Sequence, residues 1–70
     1  MERKKVSSSN IRSIGYDPKT QVLEIEFGNG SIYQYSKVPA EIYRRAMNAS
    51  SIGSYFKDNI EEDYSCRRIR

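Results

Sequence analysis

Seventy residues, with twelve Lys and Arg against nine Asp and Glu and no histidine, allow one domain with one small core and a net charge of +3. The missing histidines exclude the commonest general base, and a single cysteine, Cys66, excludes an internal disulfide and the usual structural zinc sites. No apolar run approaches the ~20 residues of a membrane span, and a hydrophobic content of 37% with 30% charged residues fits a folded chain, not a disordered one.

In chain order, Met1 to Lys5 is charged and is followed by Ser7, Ser8 and Ser9, with Val6 the one apolar residue. Residues 1–8 therefore read as a disordered basic arm. With no signal-like apolar stretch, the expected location is the cytoplasm. Ile11 to Tyr16 reads as a first strand with Ile14 and Tyr16 on one face. Asp17-Pro18-Lys19-Thr20 reads as a type I turn, with Pro where φ is already set. A four-residue loop there pairs Ile14 with Leu23.

Leu23, Ile25 and Phe27 then alternate with Glu24 and Glu26, the period of a strand with one wet face. Gly28-Asn29-Gly30 is a turn, and Ser31 to Tyr35 is the return strand. Two registers are open. A two-residue loop, Asn29-Gly30, sets Phe27 opposite Ile32 and turns Tyr33 and Tyr35 to the wet side with Glu26 and Glu24. A three-residue loop with Gly30 left-handed sets Tyr33 opposite Ile25 and Tyr35 opposite Leu23, and sends Gln34 outward beside Glu24. A one-residue slip moves the whole set between faces. The three-residue loop is favoured because it gathers the tyrosines with the apolar set, at the cost of pointing Ile32 away from the core.

Val38-Pro39 ends the strand, and Pro39 suits the start of a helix reaching Asn48. Ile42, Tyr43, Ala46 and Met47 form its apolar stripe. Glu41 complements the helix dipole in its first turn. Ser50 or Ser51 caps a second helix over about residues 51–60, with Ile52, Tyr55, Phe56 and Ile60 on one face. Gly53 inside it suggests close packing against a neighbour. Residues 63–70 form a basic tail, either docked on the sheet through Tyr64 and Ile69 or loose. The fold class is α+β: a three-stranded antiparallel meander (10–16, 21–27, 31–36) followed by two short α-helices packed on one face. Its expected core is Ile14, Leu23, Ile25, Phe27, Tyr33, Tyr35, Ile42, Met47, Ile52 and Phe56.

Charge is unevenly placed: residues 2–5 carry +2 and Arg67, Arg68 and Arg70 carry +3, whereas residues 6–66 carry −2. Basic ends of this kind suit nucleic acid or are merely solvated. Tyrosines on a sheet suit stacking on unpaired bases or filling a core. The candidate nucleic-acid contacts are Tyr33 and Tyr35 for stacking, with Arg12, Lys37, Arg44, Arg45, Lys57, Arg67, Arg68 and Arg70 for phosphates. No catalytic residue, metal ligand, cofactor or small-molecule substrate is expected. Cys66 has no histidine partner, the Glu24/Glu26 pair reads as a solvated sheet face, and Gly28-Asn29-Gly30 lacks the spacing and lysine of a phosphate loop.

Together, Ser8-Ser9-Asn10-Ile11, Gly15-Tyr16-Asp17, Leu23-Glu24-Ile25-Glu26-Phe27, Tyr33-Gln34-Tyr35, Val38-Pro39, Ala49-Ser50-Ser51-Ile52-Gly53 and Tyr55-Phe56 resemble the KTSC domain. That family is named for the C-terminal region of some lysyl-tRNA synthetases and also occurs as small stand-alone proteins. The resemblance spans about residues 7–69, with 9–62 as the domain proper. The family's tail reads Tyr-Pro-Tyr-Arg-Arg-Leu. Here Ser65 and Cys66 replace the Pro and the second Tyr, so the role of that aromatic does not carry over. From the synthetase setting the resemblance implies RNA, of tRNA type, as partner. The other reading is a protein-interaction or assembly module, monomeric or weakly dimeric, that pairs through a free edge of strand 31–36 or 10–16.

Overall fold

The computed structural model describes residues 2–70 and holds five strands and two helices. The strands are β1 (Arg3–Lys5), β2 (Ile11–Asp17), β3 (Val22–Phe27), β4 (Ile32–Tyr35) and β5 (Cys66–Arg68). Helices α1 (Ala40–Asn48) and α2 (Ile52–Asn59) lie between β4 and β5 in the chain. All neighbouring strands are antiparallel, in the order β1-β2-β3-β4-β5. The α+β class and the two helices are as expected, but the sheet has five strands, not three. Residues 3–5 of the arm read as disordered pair with β2, and part of the basic tail pairs with β4. Both strands expected to have free edges are therefore covered. Of the tail's apolar residues, Tyr64 packs against the core while Ile69 stays 44% exposed.

The β3–β4 hairpin adopts the three-residue loop. Leu23 faces Tyr35, Glu24 faces Gln34 and Ile25 faces Tyr33. Gly30 sits at φ +91, a conformation that other residues reach only with strain. Backbone bonds between Phe27 and Ser31 and from the Gly30 N–H to the Phe27 carbonyl, both 2.9 Å, close the loop.

The β2–β3 hairpin differs from expectation by two residues of register. Ile14 faces Ile25 and Tyr16 faces Leu23. The cause is the turn: β2 runs on through Asp17, and Gln21, at φ 58, closes the loop in the left-handed region. Lys37 is left-handed as well, at φ 59, and next to it the Val38 N–H donates to the Gln21 carbonyl at 2.8 Å, tying the two connections together. An even shift keeps each side chain on its face, so the apolar set stays inside.

A bulge at Arg12 adds a second departure. Ile11 faces Phe27 but Ser13 faces Glu26, leaving Arg12 without a partner. The extra residue lets Ile11 and Ile14, three apart, both point inward and become fully buried. Strict alternation cannot achieve that, so the core expected from the pattern lacks Ile11. The buried cluster joins Ile11, Ile14, Leu23, Ile25, Tyr35 and Val38 of the sheet side to Ala46, Phe56 and Ile60 of the helical side. Phe27, Tyr33, Ile42, Met47 and Ile52 pack around it, half-buried. Pro39 is the N-cap of α1 and not its first residue, and Ser51 caps α2 by accepting from the Ser54 N–H at 3.3 Å.

The sheet face away from the helices is not simply wet. Glu24 is only 5% exposed. Arg3 crosses β2 to reach it in an ion pair, and Gln34 Nε2 donates to its other oxygen at 2.8 Å. Arg3 Nε also donates to Ser13 Oγ at 3.0 Å, and Ser13 donates to Glu26 at 2.9 Å. The crossing is possible because residue 15 has no side chain: a Cβ there would lie 2.6 Å from the Glu2 carbonyl oxygen and 2.9 Å from Arg3 Cγ.

Three expectations follow. Gly15→Ala should cost about 1–3 kcal/mol by pushing β1 off the sheet, seen as a lower urea midpoint and faster exchange of the Lys4 amide, which alternation from the Val6–Arg12 bond places in the ladder. Unchanged values would mean β1 contributes nothing. Burial alone would raise the Glu24 pKa, but hydrogen bonds from Gln34 and Arg3 and the charge of Arg3 outweigh it and hold the carboxyl below its ordinary 4.5. A lowered folded pKa gives stabilisation that is complete above the unfolded value and is lost as pH falls through the folded one. Urea midpoints should therefore drop below about pH 4.5 in the wild type and drop less in Glu24→Gln. Gly53, finally, is not a close-packing residue, because an added methyl would meet only the Ser8 hydroxyl at an ordinary 3.4 Å. Gly53→Ala should raise stability by up to about 1 kcal/mol through helix propensity, and a fall in the melting temperature would contradict this.

Candidate nucleic-acid interface

Beside the core, β3, β4 and α2 leave a groove. It consists of two adjoining cavities of about 380 and 230 Å³ that share Phe27, Phe56 and Glu61. Its size falls in the ~300–1,000 Å³ range of small-ligand clefts. Three edge-to-face contacts build the aromatic floor: Phe27–Tyr33 at 5.6 Å, Phe27–Phe56 at 5.6 Å and Tyr35–Phe56 at 5.3 Å. The rings meet there because the hairpin register puts Phe27, Tyr33 and Tyr35 on the helical side, where the Phe56 stripe of α2 packs onto them.

The two tyrosines of the central triplet have different fates. Tyr35 is 4% exposed and belongs to the core. Burial pushes its phenol pKa well up, and the neighbouring Cys66 and Glu61 push the same way, so the ring stays neutral. Tyr33 is half-buried and keeps part of its surface in the groove.

β5 brings Cys66 opposite Tyr35 and Arg68 opposite Tyr33. Directly paired residues of an antiparallel ladder project to the same face, so Cys66 stands in the wall of the groove and Arg68 leaves β5 on the same face beside Tyr33, where its Nε donates to the Arg70 carbonyl at 3.1 Å. Lys57, one turn past Gly53 on α2, lines the other end, which opens into a cleft edged by Ser7, Ser8, Ser9 and Ser51. Glu61 directly follows the α2 cap residue Ile60, and its backbone N–H is bound to the Phe56 carbonyl at 2.9 Å.

The other candidate residues lie apart. Arg44 and Arg45 both pair with Glu41 on the exposed side of α1, at 2.8 and 3.6 Å. Arg12 and Arg70 flank Glu26 at 3.7 and 3.6 Å, and Arg12 also donates to the Gly28 carbonyl. Arg67 pairs in register with Gln34, on the face away from the helices. Lys37 sits in its strained turn. The cations thus form no single patch. Of the expected set only Tyr33, Tyr35 and Lys57 line the groove, with Arg68 across the ladder from Tyr33; among the described residues neither Lys57 nor Arg68 makes an ion pair.

The sequence pattern puts Phe27 and Phe56 in the core and Glu61 and Cys66 in no site. No local pattern marks them, since what unites them is the packing of α2 on β3 and β4. Among the described residues, no group of three or more Cys, Asp and Glu stands close enough to hold a metal ion, and no helix is long and apolar enough to cross a membrane.

Comparisons with known proteins agree on a family. The KTSC domain model matches residues 7–64. An uncharacterized protein of Stutzerimonas stutzeri (strain A1501) is 45% identical over 56 residues, which is 80% of this chain and 79% of that one. A lysine–tRNA ligase of Nostoc sp. (strain PCC 7120) is 38% identical over 65 residues, covering 93% of this chain but 12% of the ligase. The crystal structure of a KTSC domain protein from Yersinia pestis superposes with a TM-score of 0.93 at 44% identity, over 99% of this chain and 97% of that one.

Proposed function

This chain belongs to the KTSC domain family, and from that premise we propose that it is a non-catalytic module that binds unpaired RNA in the groove over Phe27, Tyr33 and Phe56. The observation that carries the reading is the joining of half-exposed rings to two cations that make no ion pair among the described residues, Lys57 in the lining of the groove and Arg68 across the ladder from Tyr33. Aromatic floors take bases of any sequence by stacking, and cations at their ends hold the phosphates. The lysine–tRNA ligase of Nostoc supports this choice of partner, because nearly the whole of this chain matches a small part of a tRNA enzyme. Tyr35 serves the fold in this reading, and Arg44, Arg45, Arg12 and Arg70 contribute only to the general field.

A protein partner pairing along a strand fits less well. The edges it would use, β2 and β4, are capped by β1 and β5. The new edges are three residues long and consist largely of Arg and Lys, a composition that discourages pairing.

The test is a fluorescence-anisotropy titration of single-stranded and duplex RNA of equal length at several salt concentrations. Single strands should bind more tightly, and affinity should fall with salt. Tyr33→Ala should weaken binding by about 1–3 kcal/mol. Lys57→Ala combined with Arg68→Ala should reduce the log–log salt slope by about 1.4, at about 0.7 for each single-strand contact. Preference for duplex, or an unchanged slope in the double variant, would remove the groove from consideration.

A further inference from the structure

The groove holds one group that stacking and phosphate contact leave unused. Glu61 lines both of its cavities, yet no cation or hydrogen-bond donor pairs with its carboxylate among the described residues. It stands near enough to the buried Tyr35 phenol to act on it electrostatically. A carboxylate is purely an acceptor. Beside a phosphate chain it would only repel, so its complement is the donor edge of a base lying on the rings.

The four bases differ at that edge. Guanine presents its ring N1–H and its exocyclic N2–H side by side, which matches the two oxygens of one carboxylate. Adenine and cytosine each offer one amino group next to a bare ring nitrogen, whose lone pair would face the carboxylate. Uracil offers one N–H between two carbonyl oxygens. Two parallel charge-assisted bonds are available only to guanine.

We infer that the groove selects a single unpaired guanine, its face on Tyr33, its rim against the perpendicular Phe27 ring and its Watson–Crick edge on the Glu61 carboxylate, with Lys57 and Arg68 on the flanking phosphates. This rests on the RNA-binding reading and deepens it. Glu61 is exposed and outside the core, so its replacement tests recognition without threatening the fold.

The experiment titrates the full chain with the RNA pentamers UUGUU, UUAUU, UUCUU and UUUUU, together with UUIUU, whose inosine lacks the 2-amino group. UUGUU should bind roughly ten- to a hundredfold more tightly than the other three. UUIUU should lose most of that advantage, and Glu61→Gln should bring all five within a few-fold of one another. Equal binding of the pentamers by the wild type, or a guanine preference that survives Glu61→Gln, would overturn guanine selection while leaving RNA binding in place. No binding to any pentamer would overturn both. Chemical-shift changes at Tyr33 and Glu61 that follow protein concentration without RNA would give the groove to a second copy and overturn both as well.

Discussion

Everything in this molecule depends on the positive φ of Gly30. That conformation closes a three-residue loop, fixes Tyr33 opposite Ile25 and Tyr35 opposite Leu23, and commits the aromatic triplet to the helical face. Asn29 reinforces it, because its side-chain oxygen accepts from both the backbone N–H and the hydroxyl of Ser31, at 3.0 and 2.7 Å. A loop shorter by one residue would send both phenols to the face of Glu24 and Glu26 and strip the core of its largest member on β4. The groove inherits its floor from the same choice, since Phe27 and Tyr33 meet only in this register.

The opposite face shows how a small domain stabilises a sheet without a second layer. Seventy residues supply too few apolar side chains to cover both sides. This chain spreads Arg3 across β2 and satisfies Glu24 with Arg3 and Gln34, and Glu26 with Ser13, Arg12 and Arg70. Ile32, which points the same way as Glu26, is only 4% exposed and sits outside the main core. The network also consumes charge. Three of the arginines that give the chain its basic character, Arg3, Arg12 and Arg70, are paired with the carboxylates of this face, so net charge is a poor guide to where a polyanion could lie.

What remains free is consistent across the groove. Lys57 in the lining, Arg68 beside Tyr33, half-exposed rings and the Glu61 carboxylate suit a ligand that is aromatic in the middle, anionic at both ends and rich in donors along one edge. A nucleotide within a strand has that distribution. The Yersinia KTSC domain protein shares the fold over its whole length, and the Nostoc ligase carries the same unit as a small fraction of a larger enzyme. Sequences of this family therefore occur both as most of a small protein and as a short part of a long one, as suits a unit with its own core.

Local chemistry alone determined the α+β class, the Gly30 loop, the Tyr33 and Tyr35 pairings and the span of both helices. Each of these is decided by residues a few positions apart: a turn glycine, a period of two, a period of 3.6, a capping serine. The two outer strands, the Arg12 bulge and the groove were not legible. β1 is three charged residues held by an arginine whose partner lies 21 positions away, and its docking needs the empty space at Gly15. Ile11 enters the core only because a bulge breaks the alternation that pattern reading relies on. Glu61, unremarkable after the end of a helix, becomes distinctive only when α2 folds back and sets it beside Phe27. Those features come from contacts between distant segments, and their energies appear only once the chain has closed on itself.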